Sequence, residues 1–281
     1  KKMNQIFKFI NKDIAIKYKT INNLQNYTIV LNHKRWFDKI NNNSKLCFEF
    51  ILLPLPIYKK WIHKDKMIIE CDCIKFDNST KQYNFMFKEK IKNDKVFEGL
   101  SNSYRKLYFD IDDKDMKDDI DTTINNLMIM LKKYIDYGEE KPLIFKREKT
   151  NSLHFIFHNI KMDYRQQKQL TLFLNKDDIQ VDTKVYNKFI PFCLPYKSKA
   201  KLDIDEPNDF ICYDEYTNQK YNENIDNFLI NETDNCKIDL KFNDKFINET
   251  NKQVIEDNCK VVNTDNDKLV RSLINNLPKE F

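Results

Sequence analysis

The sequence predicts an α+β protein, and three features of its second half carry that prediction. An apolar run, Lys106-Leu107-Tyr108-Phe109-Asp110-Ile111-Asp112, reads as a buried strand ending in acids. Ile120, Ile124, Leu127, Leu131 and Ile135 then recur at helical spacing. Pro142–Arg147 and Ser152–Asn159 follow as two strand-like segments joined by a polar turn through Glu148–Asn151.

Taken in order, residues 1–95 read as a mixed α/β module. Its strands are expected at Tyr27–Leu31, Leu46–Leu53, Lys66–Phe76 and Tyr83–Phe87, with a short helix at Trp36–Ile40. Lys8, Lys12, Lys17 and Lys19 read as solvated, and Trp36, Phe37, Trp61 and His63 as core or rim residues rather than a base-stacking platform. Residues 96–232 form the second unit. After the strand at 104–112, a helix is predicted over 115–137, because acids crowd its start, Lys132 and Lys133 its end, and Gly138 follows. Beyond the two-strand segment, Tyr164–Asn175 reads as a helix with Leu170 and Phe173 inward, and Ile179–Tyr186 as a further strand. The order β-α-β-β-α-β is that of a split β-α-β, ferredoxin-like or RRM-like sheet with helices on one face. Residues 233–281 are a C-terminal extension. Leu269, Leu273 and Leu277, four apart, predict a last helix, with Asp265 or Asp267 as cap and Pro278 beyond it. The chain opens on Lys1 and stops as that helix completes, so a piece of a longer polypeptide is expected.

Composition narrows the setting. Lys+Arg 48 against Asp+Glu 43 leaves +5, which permits a polyanionic partner and puts the weight on where the charge sits. With only 2 Gly and an abundance of Lys, Asn and Ile, the chain carries an A/T-rich coding bias, so Asn and Lys runs are discounted as signals. The five Asn-x-Ser/Thr matches are expected by chance in such a chain. Seven cysteines with no Cys-x-x-Cys predict free thiols and no structural zinc. The longest apolar run, Phe50–Ile57, is short of the ~20 residues that span a bilayer and is interrupted by prolines. A soluble protein of a reducing compartment, with no membrane partner, is the expectation.

The candidate chemistry begins at Asp110 and Asp112. Side chains alternate along a strand, so both carboxylates point one way, about 7 Å apart. Paired anionic oxygens at a strand end suit Mg²⁺ or Mn²⁺, and a nucleoside triphosphate is a common third party. The plain alternative is a strand running into an acidic loop. Ser152 and His154 share a face of the next long strand and could both donate to phosphate oxygens. Asp182 supplies a third acid after an apolar approach, and three carboxylates from different strands could hold two divalent ions about 3.5–4 Å apart. Lys197, Lys199 and Lys201 alternate beyond it, toward a phosphate or as a solvated loop.

In sequence order these pieces resemble the archaeo-eukaryotic primase superfamily. Hydrophobic-Asp110-x-Asp112 precedes Ser152-x-His154. Val181-Asp182-Thr183-Lys184-Val185-Tyr186 and Phe192-Cys193-Leu194-Pro195-Tyr196-Lys197-Ser198-Lys199 then look like the third motif and basic stretch of the primase-polymerase and viral D5-type primase-helicase branch. The resemblance covers roughly residues 104–201. It implies a primase fold in which the RRM-like half packs against the N-terminal α/β module. It further implies that Asp110, Asp112 and Asp182 bind two Mg²⁺ or Mn²⁺ ions. Ser152, His154, Lys199, Lys197 and Arg147 would bind the incoming NTP or dNTP, on a single-stranded DNA template. The same resemblance implies a downstream helicase domain, preceded by the helix at Leu269–Leu277, and a viral protein acting in the host cytoplasm or nucleus. One position departs from the pattern: Cys193 stands where arginine is usual, and a thiol cannot make a bidentate contact to phosphate. Two alternatives use the same residues, a metal-dependent nuclease and a catalytically silent template-binding module.

Overall fold

Short apolar runs separated by polar turns build the first half into one sheet. The computed structural model describes residues 5–38, 43–63, 68–92, 96–116, 118–197, 209–238 and 240–251. The elements are β1 (Phe7–Phe9), α1 (Lys12–Ile21), β2 (Tyr27–Asp38), β3 (Asn43–Pro54), α2 (Leu55–His63), β4 (Ile68–Asp77), β5 (Gln82–Lys92) and β6 (Val96–Leu100). A later strand, β11 (Ile190–Cys193), joins them to give the order β11-β6-β2-β3-β1-β4-β5. β6 and β11 therefore belong to the large sheet, although they lie beyond residue 95.

Two expectations are corrected here. Trp36 and Phe37 lie not in a helix but in β2, opposite Lys45 and Ser44, and the β2–β3 pairing runs unbroken from Tyr27↔Pro54 to Asp38↔Asn43. A five-residue helix is too short to nucleate against twelve residues of ladder. Ile40 falls outside the described residues. Lys8 is not solvated: β1 sits between β3 and β4, and its ammonium is buried 2.6 Å from Glu49 and bonded to Glu89. Burial acts to lower the Lys8 pKa, but the two glutamates outweigh it and raise it overall. Trp61 of α2 is buried in the core.

The second half contains β7 (Tyr104–Ile111), α3 (Ile120–Tyr134), β8 (Ile135–Asp136), β9 (Leu143–Arg147), β10 (Leu153–Asp163) and α4 (Tyr164–Lys176). β12 (Phe210–Cys212), α5 (Glu215–Glu223) and β13 (Lys241–Phe242) follow β11. The predicted helix at 115–137 is shorter, because Asp119 caps it by accepting from the Thr122 amide (3.0 Å) and Ile135 has already turned extended. β10 lies antiparallel between β7 and β9, so β7-α3-β9 is the expected split β-α-β. The next expectation is corrected. Ile179–Tyr186 is not a strand but a loop ending in a 3₁₀ turn, Thr183–Tyr186. The fourth strand is β12, added beside β9, so the order is β12-β9-β10-β7 rather than one with the last strand beside the first.

α3 and α4 cover the face of this sheet carrying Leu107, Phe109 and Phe157. Tyr108 and Asp110 point to the other face, where Phe192 of β11 meets Tyr108 at 5.1 Å. The candidate site lies on that face, between the two sheets. The predicted helix at Leu269–Leu277 falls outside the described residues. No helix of the described residues is long and apolar enough to cross a membrane.

Candidate functional site

Alternation along β7 and β10 places Asp110 directly opposite His154, with His154 Nε2 3.5 Å from Asp110 Oδ1. The imidazole is 4% exposed and lies between two rings, Phe192 at 4.3 Å and Phe210 at 3.7 Å, the second stacked at 24°. Burial lowers the His154 pKa; Asp110 opposes this shift and Arg147 adds to it. Burial thus favours the uncharged imidazole over the imidazolium. Arg147, the register partner of Phe210, holds its guanidinium 4.2 Å from the centre of the Phe210 ring. A carboxylate, an imidazole and a guanidinium are thus gathered around two phenylalanines.

Asp182 reaches this group through its backbone. Its amide donates to the Asp110 carbonyl at 2.9 Å, while its carboxylate caps the 3₁₀ turn by accepting from the Lys184 amide at 2.8 Å. The loop is pinned along the edge of β7 by side chains. Asn175 brackets Val181, its Oδ1 accepting from the Val181 amide (2.7 Å) and its Nδ2 donating to the Val181 carbonyl (3.0 Å); the Tyr108 hydroxyl donates to the Val185 carbonyl (2.6 Å) and the Tyr186 hydroxyl to the Tyr108 carbonyl (2.7 Å). Buried Arg105 donates to the carbonyls of Asn187 (2.9 Å) and Lys188 (2.8 Å). Of the β7 edge carbonyls, Asp110 accepts from the Asp182 amide and Tyr108 from the Tyr186 hydroxyl, so 179–186 meets this edge through a mixture of backbone and side-chain bonds rather than a strand ladder.

The remaining expected residues are placed as follows. Asp112 lies just past β7, its side chain 45% exposed and 3.8 Å from the Lys114 ammonium. Ser152, just before β10, is 7% exposed, and its carbonyl accepts from the Arg147 amide (3.1 Å). Lys197 is 3% exposed and its carbonyl accepts from the Cys193 thiol (3.3 Å). Cys193 is itself buried in β11, opposite Phe97, so it occupies a packing position. Lys199 and Lys201 fall outside the described residues.

As a donor set, three carboxylates on neighbouring backbones supply the hard oxygens that Mg²⁺ or Mn²⁺ takes. Among the described residues, no three or more His, Cys, Asp or Glu side chains converge to hold a metal ion. Asp182 Oδ1 accepts from the Lys184 amide, and an Asp112 carboxylate oxygen lies 3.8 Å from the Lys114 ammonium.

Sequence reasoning missed Phe210 as a site residue. It stands in a three-residue strand, Phe210–Cys212, whose neighbours are set only by pairing with β9. Phe192 was visible as part of the third motif, but no local pattern shows that it covers His154. Compared with models of protein families and with curated proteins, the chain matches none.

Proposed function

We propose that this chain is a primase-polymerase domain that joins nucleotides into a short primer on single-stranded DNA. One observation carries the proposal: the Asp110–His154 cross-strand pair, with the Asp182 amide on the Asp110 carbonyl, gathers three separated sequence motifs at one strand edge. Asp110, Asp112 and Asp182 would hold Mg²⁺ or Mn²⁺. When bound, such ions lower the pKa of an attacking hydroxyl and offset the charge developing on phosphate. The primer 3′-hydroxyl attacks the α-phosphate of an NTP or dNTP, the α–β phosphoanhydride bond breaks, and pyrophosphate leaves. His154, held by two rings, orients the Asp110 carboxylate. The Arg147 guanidinium offers a fork of donors to a phosphate. A helicase following this domain in the full-length protein belongs to the same proposal.

The burial of Ser152, His154 and Lys197 favours a second reading, a template-binding module without catalysis. Primer synthesis with Mn²⁺, labelled nucleotide and single-stranded DNA distinguishes them. Products longer than a dinucleotide are expected, with Asp110→Asn and Asp182→Asn each reducing synthesis by roughly a hundredfold or more. DNA binding without synthesis supports the second reading, and shortened DNA a nuclease. Full synthesis by Asp110→Asn would overturn the site assignment.

A further inference from the structure

A second concave site lies beside the large sheet, and its lining shares no residue with the Asp110–His154 site. It is a cavity of about 570 Å³ between α1 and the loop entering β11, lined by Lys12, Lys19, Lys188, Asp13, Leu24 and Phe189 among others. Its volume is within the range of small-ligand sites, roughly 300–1,000 Å³. Three cations and one carboxylate leave the rim positive. Burial lowers the Lys19 pKa, and among the described residues no carboxylate acts against that shift. A desolvated ammonium without an anion beside it is a position that an anionic ligand would stabilise.

Phe189 supplies the other half of the recognition. Its ring packs over Gly99: a Cβ added there would meet Phe189 Cζ at 3.3 Å and the Ile29 carbonyl at 2.6 Å. The Lys12 ammonium sits 4.5 Å from the centre of the same ring. An aromatic face next to separated lysines matches a planar base joined to phosphate, where stacking and charge act together. An acidic peptide would use the lysines but not the ring.

We propose that this cavity binds a nucleoside phosphate, either a free nucleotide or one unit of a single strand, with phosphate at Lys19 and Lys188 and the base on the Phe189 face that the Lys12 ammonium now covers, Lys12 turning from the ring to the phosphate. The proposal does not depend on the acids at 110, 112 and 182 carrying synthesis. Those acids need a divalent ion to hold a triphosphate, so binding is measured in EDTA.

Fluorescence anisotropy with mant-ATP and with fluorescein-labelled oligothymidylate tests it on the whole chain. At least one probe is expected to bind in EDTA. Lys188→Glu should weaken it roughly tenfold, and Lys19→Glu with Lys188→Glu further, by about tenfold per lysine. Phe189→Leu should weaken it several-fold, while Asp110→Asn leaves it unchanged. Lys188 is exposed, so the single variant keeps the fold, checked by an unchanged melting curve. Binding of mant-ATP alone identifies a free nucleotide, and binding of the oligomer alone a strand; both support the site. The proposal is overturned if neither probe binds, if Lys188→Glu leaves affinity unchanged, or if tripolyphosphate or polyglutamate competes as well as the nucleotide and Phe189→Leu has no effect.

Discussion

His154 shows how burial and a neighbouring charge compete at one residue. Enclosure between Phe192 and Phe210 disfavours the imidazolium, Asp110 favours it, and burial is the larger effect. Its folded pKa therefore lies below the ordinary value of 6.5. The native state binds fewer protons than the unfolded chain, so this stability is present above about pH 6.5 and is lost as pH falls. His154→Gln should flatten that loss in thermal melts recorded across the acid range. Period two alone placed His154 on the face of Ser152 and opposite the Leu153 side. It did not place Asp110 across from it, because cross-strand register is set by the pairing of β10 with β7.

Elements with their own stop signals were legible, and those defined by partners were not. α4 follows the predicted bounds closely because its apolar stripe and the Asp163 cap are local. α3 ends sooner than its periodicity suggests because Ile135 pairs with Phe242, far along the chain. Ile179–Tyr186 has strand-like composition, yet its carbonyl and hydroxyl bonds tie it to β7 as a loop. β6 gives the element-scale prediction. Gly99 lets it approach β2, since an added Cβ would stand 2.6 Å from the Ile29 carbonyl and 2.8 Å from Leu31 Cδ1. Gly99→Ala should cost about 1–3 kcal/mol in urea denaturation, as overpacking does.

At the scale of the molecule, two buried ionisable residues, Arg105 and Glu98, tie distant segments of the two halves together. Arg105 of β7 donates to the carbonyls of Leu100, Asn102, Asn187 and Lys188, joining the end of β6 to the loop before β11. Arg105→Met leaves those carbonyls without their donor and should cost at least about 3 kcal/mol, read by urea denaturation. Glu98 of β6 accepts from the amides of Ile230 and Asn231, each at 2.9 Å. Burial pushes its pKa up to about 7 from 4.5, against the pull of those amides and Lys106. The native state then holds the extra proton, so this stability is present below about pH 4.5 and is lost as pH rises through about 7. Between about pH 4.5 and 6.5 the slopes from Glu98 and His154 oppose each other. Melts of Glu98→Gln should show a steeper gain of stability with rising pH than the parent, and His154→Gln a steeper loss. By itself the sequence determined the α+β class, the split β-α-β and the faces of Asp110 and His154, because periodicity and helix caps act over a few residues. Only the tertiary structure decided that β12 rather than 179–186 is the fourth strand, that Phe192 and Phe210 enclose His154, and that β6 and β11 belong to the large sheet. Each of these depends on which distant backbone supplies a hydrogen-bonding edge, and nothing local encodes that choice.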